Sequence, residues 1–209
     1  MRPHTPPDAI IRQLLDKLEL STKAVQWGKS HENVALQRYV NFQLTSGHNG
    51  LVAVKAGFVI CEDFPFLGAT PDACVHDPSR TEQYGLVEIK CPYKYRDLLP
   101  EHATSNSDFC SFVTEKDGKK ILNLKQSHTY FCQVQGQMAI TKRKWCDFVI
   151  FTNKGISVQT IEFDPTFWTN QLLPKLINFF ENCFAPAIVC PVHLLGMKTH
   201  SLKEHTEKD

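Results

Sequence analysis

Residues 85–91, GLVEIKC, restrict the fold most, because they place two charged side chains in an otherwise apolar strand. Val87 and Ile89 alternate with Glu88 and Lys90, so the two-residue period of a β-strand sends the apolar pair to one face and the charged pair to the other. Charged groups on the inner face of a strand cost free energy unless they are paired or bind something. The stretch therefore predicts a sheet strand with an ion pair or a functional site on one face.

The length and composition of the chain indicate one large globular domain. The chain has 209 residues, of which 42% are hydrophobic and 22% are charged. No apolar run approaches the roughly 20 residues that span a bilayer, and the first ten residues do not resemble a signal peptide, so no membrane partner is expected. The 8 cysteines lack paired spacing, which predicts an intracellular protein in a reducing compartment, either the nucleus or the cytoplasm.

Hydrophobic periodicity predicts helices and strands along the whole chain. Helices are expected over residues 6–20, 29–44, 127–144 and 164–184, and strands over residues 52–60, 66–75, 85–91, 145–152 and 155–163. Ser127 is the expected N-cap of the third helix, and Asp164 followed by Pro165 is expected to begin the last one. Residues 101–120 are polar and turn-rich, which predicts an irregular excursion on the surface.

The order of these elements predicts the fold class and the domain boundaries. We predict an α/β (α+β) domain with a central mixed β-sheet flanked by helices. Residues 1–21 are expected to form an N-terminal helical segment, residues 22–197 the folded domain, and residues 198–209 a polar, frayed tail.

Two carboxylates are expected to meet at one edge of this sheet. Asp72 ends the stretch GATPD, and a turn-rich connection separates it from Glu88 on the next predicted strand. Two converging carboxylates repel each other unless a divalent cation lies between them, and such oxygen ligands suit Mg²⁺ or Mn²⁺. Lys90 would then orient a water molecule or stabilise charge on a phosphate. A structural salt bridge explains the same three residues about equally well.

Two predicted helices carry further polar candidates. Glu32 lies on the second helix, and Tyr130, Gln133 and Gln137 share one face of the third, because residues three and four apart are neighbours on a helix. Glutamines on an inward face need partners, and water or phosphate oxygens would serve. For Gln135 and Gln137 we expect a solvated polar face instead.

Short basic clusters are candidates for binding a polyanion, although the net charge of the chain is only +1. Lys94 and Arg96 follow the GLVEIKC strand, and Lys142 and Arg143 end the third predicted helix. Such clusters by themselves more often form a solvated face than a nucleic-acid site. We keep Lys94, Arg96, Lys142 and Arg143 as candidate nucleic-acid contacts, with a solvated face as the alternative.

Four motifs occur in order along the chain: TKAVQWGKSHE, LGATPD, VEIKCP and YFCQVQGQM. Together they resemble the YqaJ/phage lambda exonuclease family of the PD-(D/E)XK nuclease superfamily over roughly residues 22–185. The resemblance implies a restriction-endonuclease-like core, metal-dependent phosphodiester hydrolysis and processing of duplex DNA ends in recombination or repair. It makes residues 22–197 the nuclease domain and implies a homo-oligomer, a ring-shaped trimer, as one form of assembly.

The resemblance also implies a role for each candidate residue. Lys90 looks like the catalytic lysine, and Gln133 looks like the helix glutamine of the site. The ligands of Mg²⁺ or Mn²⁺ look like Asp72, Glu88, the backbone carbonyl of Ile89, and the helix carboxylate Glu32.

One departure from the family keeps two other functions open. Family members usually begin with a Trp/Arg-rich helix that ends in an Ile-Thr-Ala-Ser-like sequence, and nothing before Thr22 matches it. The alternatives are a DNA-binding module that keeps the fold without cleaving, or a structure-specific endonuclease of the same superfamily. The presence of Asp72, Glu88 and Lys90 together favours an enzyme, and the resemblance favours an exonuclease.

Overall fold

The computed structural model describes residues 7–15, 22–116 and 118–189. The chain divides into two compact units, one formed by residues 1–20 and 169–209 and the other by residues 21–168. The predicted polar tail lies outside the described residues. The second unit contains every candidate site residue named above.

The described residues form the following helices and strands. The α-helices are α1 (Pro7–Leu15), α2 (Lys23–Thr45), α3 (Pro100–Ala103), α4 (Thr129–Thr141), α5 (Pro165–Phe167), α6 (Leu173–Phe179) and α7 (Ala185–Val189). A 3₁₀ turn covers Tyr93–Tyr95, and π-helical segments cover Trp168–Leu172 and Phe180–Phe184. The strands are β1 (Val52–Lys55), β2 (Val59–Ile60), β3 (Gly68–Ala69), β4 (Ala73–His76), β5 (Tyr84–Lys90), β6 (Ser111–Lys116), β7 (Lys119–Leu124), β8 (Trp145–Phe151) and β9 (Ile156–Glu162).

A five-stranded mixed sheet organises the second unit, as the sequence predicted. Its strand order is β1-β4-β5-β8-β9, in which β5 and β8 are parallel and the other neighbours are antiparallel. Every residue of β8 is buried, which is the pattern of a strand covered on both faces. The sheet therefore has a protected centre at β5 and β8, and this centre includes the GLVEIKC stretch.

The two faces of the sheet are covered by different helices. On one face Leu86 and Phe148 share a buried cluster with Val134 and Met138 of α4. On the other face Val87 and Val149 share a buried cluster with α2, which contributes Ala35 and Tyr39. Because side chains alternate along a strand, Glu88 and Lys90 take the α4 face and Val87 and Ile89 the α2 face. The alternation predicted for residues 85–91 is confirmed.

The sequence reveals why α2 is long and firmly placed. Thr22 is its N-cap, and the Thr22 hydroxyl accepts a hydrogen bond from the Val25 N–H at 3.3 Å. Ala35, Tyr39 and Gln43 recur every four residues and form its buried stripe. The helix begins six residues earlier than predicted, since Gly28 is tolerated within it.

Two predicted strands are each broken into two. The stretch 52–60 forms β1 and β2, and the stretch 66–75 forms β3 and β4, with β2 pairing only with β3 in a separate small sheet. Pro71 lacks the N–H that a continuous sheet ladder would need, so the chain leaves one sheet and enters the other around this residue. The break leaves Asp72 directly before β4, at the end of the central sheet.

Two further details differ from the predictions. Residues 101–120 are not an irregular excursion, because they contain most of α3, all of β6 and the start of β7; Gly118, with φ +71°, lies in the turn between these two paired strands. The N-cap of α4 is His128 rather than Ser127, and its Nδ1 accepts a hydrogen bond from the Tyr130 N–H at 3.2 Å.

The last predicted helix is segmented. Asp164 is its N-cap, as predicted, and accepts from the Phe167 N–H at 2.8 Å, with Pro165 at the first position. Further along, Pro174 and Pro186 lack an N–H for regular α-helical bonding, and each lies near a π-helical segment. No helix within the described residues is long and apolar enough to cross a membrane.

Candidate active site

Glu88 is the most buried charged residue of the candidate site, with 2% of its surface exposed. Its Oε1 accepts hydrogen bonds from Lys90 Nζ at 2.5 Å and from Gln133 Nε2 at 2.7 Å. Its Oε2 accepts from Gln137 Nε2 at 2.8 Å. One strand neighbour and two residues of α4 therefore hold this carboxylate in a single orientation.

Asp72 lies beside Glu88 and completes the pair of converging carboxylates. Its Oδ2 accepts a hydrogen bond from the Ile89 N–H at 2.6 Å. Burial, and then the negative charge of Glu88, raise the pKa of Asp72 to about 6, although the Ile89 N–H and Lys90 act in the opposite direction. The pKa of Asp72 is therefore raised mainly by burial and further by the neighbouring carboxylate.

Lys90 joins the carboxylates to an open cavity. Its ammonium group lies 4.6 Å from the centre of the Tyr130 ring, and 20% of its side chain is exposed. The cavity has a volume of about 480 Å³, and its walls include Glu32, Asp72, Ile89, Lys90, His128 and Tyr130. A space of this size lies within the range of small-molecule sites and places the lysine and Asp72 in contact with whatever enters.

Glu32 reaches the same cavity from α2, on the opposite side of the sheet from α4. Its Oε1 accepts a hydrogen bond from Lys55 Nζ at 3.1 Å, and its charge contributes to the raised pKa of Asp72. The proximity predicted for Glu32 is therefore present, whereas its role as a metal ligand stays a prediction.

The donor set fits a hard divalent cation. Within residues 7–15, 22–116 and 118–189, no three His, Cys, Asp or Glu side chains are already gathered as a metal-binding cluster. Asp72 and Glu88 do converge, and their mutual repulsion is the electrostatic condition that a cation relieves. Carboxylate oxygens are the ligands that Mg²⁺ and Mn²⁺ favour, and Mg²⁺ commonly binds through one or two carboxylates while keeping several waters.

The prediction of a solvated face for Gln135 and Gln137 is wrong, because both side chains are buried. Gln137 binds Glu88, while Gln135 donates to the Glu162 carbonyl at 2.9 Å and accepts from the Asp164 N–H at 2.8 Å. The sequence did carry a signal. Helix α4 has apolar residues on all sides, a pattern of helices that are covered all round, and glutamines on such a helix need buried partners.

The four candidate DNA contacts do not lie together. Lys94 and Arg96 follow β5 at the end that carries Lys90, where Lys94 Nζ pairs with Asp108 at 2.6 Å and Arg96 lies 4.3 Å from the Tyr93 ring centre. Lys142 pairs with Glu62, and the Arg143 guanidinium lies 5.6 Å from the ring of Tyr84.

Tyr84 begins β5 and Lys90 ends it, so this strand separates Arg143 from the candidate site. A strand rises about 3.3 Å per residue, which makes the separation roughly 20 Å. Lys94 and Arg96 are therefore the candidates at the Lys90 end of β5, next to the cavity-lining residue Tyr95.

Comparison with known proteins gives a family and a fold. The family described as YqaJ-like viral recombinase domain matches residues 8–144. The chain is also similar to two crystal structures of LHK-Exo, an alkaline exonuclease from Laribacter hongkongensis. The complex with dAMP has 25% identity and a TM-score of 0.56, and the match covers 94% of this chain and 84% of that one. The second structure has 24% identity, a TM-score of 0.55 and the same coverages of 94% and 84%.

None of the curated proteins matches the chain. The likeness to the exonuclease structures confirms the predicted restriction-endonuclease-like core, and the matched family confirms the resemblance read from the four motifs. The match spans well over half of the chain and includes Glu32, Asp72, Glu88, Lys90 and Gln133. This chain therefore belongs to the family of YqaJ-like viral recombinase domains.

Proposed function

We propose that this chain is a DNA exonuclease of the recombination and repair type, which hydrolyses phosphodiester bonds at duplex ends with Mg²⁺ or Mn²⁺. One observation carries the proposal: in a member of this family, Asp72 and Lys90 line one cavity, and the buried Glu88 pairs with Lys90 and lies beside Asp72. Family membership and the exonuclease fold support the reaction class.

Asp72, Glu88 and the Ile89 carbonyl would hold the cation, with Glu32 near enough to the cavity to join them after release from Lys55. When bound, the cation supplies positive charge at the scissile phosphate and lowers the pKa of a water molecule. The raised pKa of Asp72 supports this assignment, since a carboxylate pair with too little positive charge binds a cation readily.

Side chains of the protein would orient the attacking water and stabilise charge on the phosphate. Lys90 lines the cavity, where its ammonium can orient the attacking water and stabilise negative charge that develops on the phosphate. Glu88 holds Lys90 by the 2.5 Å ion pair, and Gln133 holds Glu88 from α4, so the lysine is positioned before substrate arrives.

The substrate is proposed from the cavity and from the related structure. LHK-Exo was crystallised with dAMP, and a cavity of about 480 Å³ is suited to one nucleotide unit at a time. Lys94 and Arg96 would contact phosphates next to this nucleotide because they lie at the same end of β5. Phosphate contacts give affinity without sequence preference, as removal of successive nucleotides requires.

The proposal extends to assembly and location. A homo-oligomer, with a trimer as the form that the resemblance implies, can be tested by light scattering of the purified protein. An intracellular, reducing compartment would keep Cys61, Cys91, Cys110 and Cys146 as the thiols seen in the structure.

One cleavage experiment separates the proposal from its alternatives. Linear duplex DNA labelled at its ends and covalently closed circular DNA are incubated with the protein and Mg²⁺, and then with a chelator. Mononucleotide release from linear DNA alone, abolished by the chelator, is the expected result. Nicked circles would indicate the endonuclease, and a stable shift of DNA without products would indicate the binding module.

A further inference from the structure

Two side-chain amides of α4 hold the two oxygens of Glu88. Gln133 donates to Oε1 and shares this oxygen with Lys90. Gln137 donates to Oε2 at 2.8 Å and is 5% exposed. Without a donor on Oε2, the Glu88 carboxylate could rotate about its last bond, because both remaining contacts act on the other oxygen.

The other end of the Gln137 amide is unusual. Its Oε1 is buried and has no hydrogen-bond partner in the part of the chain that the structure describes. A buried carbonyl oxygen without a partner costs free energy, and most buried polar atoms in proteins avoid this cost. An apolar side chain of the same shape would remove this cost but would leave the buried Glu88 Oε2 without its donor, so the amide is there for Glu88.

Gln135, two residues earlier on the same helix, provides the contrast. It is fully buried, and its amide is satisfied at both ends, by the Glu162 carbonyl and by the Asp164 N–H. It binds only backbone groups and touches no residue of the site by hydrogen bond. Gln135 therefore has the contacts of a structural amide, and Gln137 does not.

We infer that Gln137 is a positioning residue of the proposed nuclease site, which orients Glu88 for the cation and for Lys90. The inference deepens the proposed function and rests on it. Residues that orient metal ligands typically change metal affinity or activity by about 10- to 100-fold when removed. Gln137 hydrogen-bonds Glu88 and is not among the residues that line the cavity, so its loss should leave DNA affinity unchanged.

The test compares Gln137→Met with Gln135→Met, which have the same chemistry on the same helix. For Gln137→Met we expect a single-turnover cleavage rate about 10- to 100-fold lower and a higher Mg²⁺ concentration at half-maximal rate. Its melting temperature does not decide the role, because removal of the unpartnered Gln137 Oε1 and loss of the donor to the buried Glu88 Oε2 act in opposite directions. For Gln135→Met we expect a lower melting temperature and a normal rate for the folded fraction. The rise in melting temperature on adding Mg²⁺ should be smaller in Gln137→Met than in the wild type.

A wild-type rate together with a wild-type Mg²⁺ titration in Gln137→Met would overturn the inference, whatever its melting temperature. If this variant does not fold, Gln137→Asn replaces it: the amide is kept but is one methylene too short to reach Oε2, so the rate should fall, and a normal rate overturns the inference. If the wild type cleaves no DNA, the proposed function fails separately. The Mg²⁺-induced change in melting temperature then still decides the role of Gln137.

Discussion

Two buried carboxylates lie on neighbouring parallel strands of the sheet and have opposite surroundings. Glu88 on β5 faces α4, and Asp147 on β8 faces α2. Asp147 is fully buried and accepts hydrogen bonds from Tyr39 at 2.7 Å, Gln43 at 2.8 Å and Arg80 at 2.9 Å. Both carboxylates are held by several donors, but Glu88 also lies beside a second carboxylate, Asp72, which lines the cavity.

Each of these carboxylates has a second carboxylate nearby, and the two groups differ in charge balance. One group is Asp147 with Asp77, and the other is Glu88 with Asp72. Arg80 binds both Asp147 and the buried Asp77, and hydrogen bonds from Ser79, His48 and Arg80 outweigh burial, so the pKa of Asp77 lies below its usual value. In the Asp72–Glu88 group, burial and then the charge of Glu88 raise the pKa of Asp72 to about 6. Asp147, with its donors on α2, fastens this helix to the sheet, whereas Asp72 has the charge balance that our proposal assigns to a cation ligand.

The Asp77 group also contains a serine and a histidine, yet their geometry differs from that of a hydrolase triad. Ser79 Oγ and Asp77 Oδ2 both contact Nδ1 of His48, at 3.1 and 2.6 Å. A triad requires the acid and the serine on different ring nitrogens, so that the histidine can take the serine proton. Both groups contain a buried carboxylate paired with a basic side chain, and they differ in exposure to a cavity and in charge balance.

The largest expected effect is the loss of the carboxylates that would bind the cation. Asp72→Ala and Glu88→Ala should each abolish Mg²⁺-dependent cleavage, while much of the DNA affinity is retained because affinity comes mainly from phosphate contacts. Cleavage assays and fluorescence anisotropy with labelled duplex measure the two properties. Substantial cleavage by either purified variant would show that the Asp72–Glu88 pair does not bind the cation that cleavage requires.

Removal of the ammonium group from the site should have the next largest effect. Lys90→Met keeps most of the packing of the side chain and should lower the single-turnover rate by roughly 10²- to 10⁴-fold, because the charge acts in the transition state. DNA affinity should be unchanged. A destabilised Lys90→Met with a normal rate would mean that Lys90 forms only a structural ion pair with Glu88.

Arg80→Met removes the cation of the Asp77–Asp147 group. It should lower stability and leave the cleavage rate intact, the reverse of Lys90→Met. It leaves Asp77 and Asp147 buried without their shared cation, which should lower the free energy of unfolding by about 3–5 kcal/mol. The single-turnover rate per folded molecule should stay near that of the wild type. Denaturant unfolding measures the stability, and a rate as low as that of Lys90→Met would place Arg80 in the catalytic machinery.

In the absence of metal, the stability contributed by Asp72 and that contributed by Asp77 should change in opposite directions with pH. The folded state raises the pKa of Asp72 from 3.8 to about 6, so it binds the proton more tightly than the unfolded state does. The stability contributed by Asp72 therefore falls as the pH rises from about 4 through about 6. Asp72→Asn should remove this decrease when melting temperatures are measured in a chelator.

Asp77→Asn should behave in the opposite way, because the pKa of Asp77 is lowered in the folded state. The stability contributed by Asp77 is present above the unfolded pKa and is lost as the pH falls through the folded one. The variant should therefore be less stable than the wild type at neutral pH, and the difference should shrink in acid. Equal pH profiles for the two variants would contradict the proposed contrast in charge balance.

The smallest expected effect concerns the DNA path. Lys94→Ala, at the cavity end of β5, should weaken binding to all duplex sequences similarly and reduce the slope of log K against log salt by about 0.9, the value of one phosphate contact. Arg143→Ala, beside Tyr84 at the other end of the strand, is the matched control and should leave the slope unchanged. An unchanged slope for Lys94→Ala would assign Lys94 to the solvated face.

Local periodicity was sufficient to predict the part of the candidate site that lies on one strand. The alternation in GLVEIKC places Glu88 and Lys90 on one face because side-chain direction in a strand depends on the backbone alone. The order of apolar segments likewise predicted the central mixed sheet, and the four motifs predicted the family. Asp164 and Pro165 were recognised as a helix start because capping is also a local interaction.

The partners of these residues were decided by tertiary structure. Gln137 was expected to be solvated and instead binds Glu88, 49 positions away in the chain, because α4 packs across the sheet face. The break of the strands near Pro71, which brings Asp72 to Glu88, depends on which strand each half pairs with. The packing of distant elements also gives Asp147 its donors on α2 and at Arg80. It likewise places Arg143 far from the cavity. A sequence pattern determines which way a side chain points, whereas the packing of distant elements determines what it meets there.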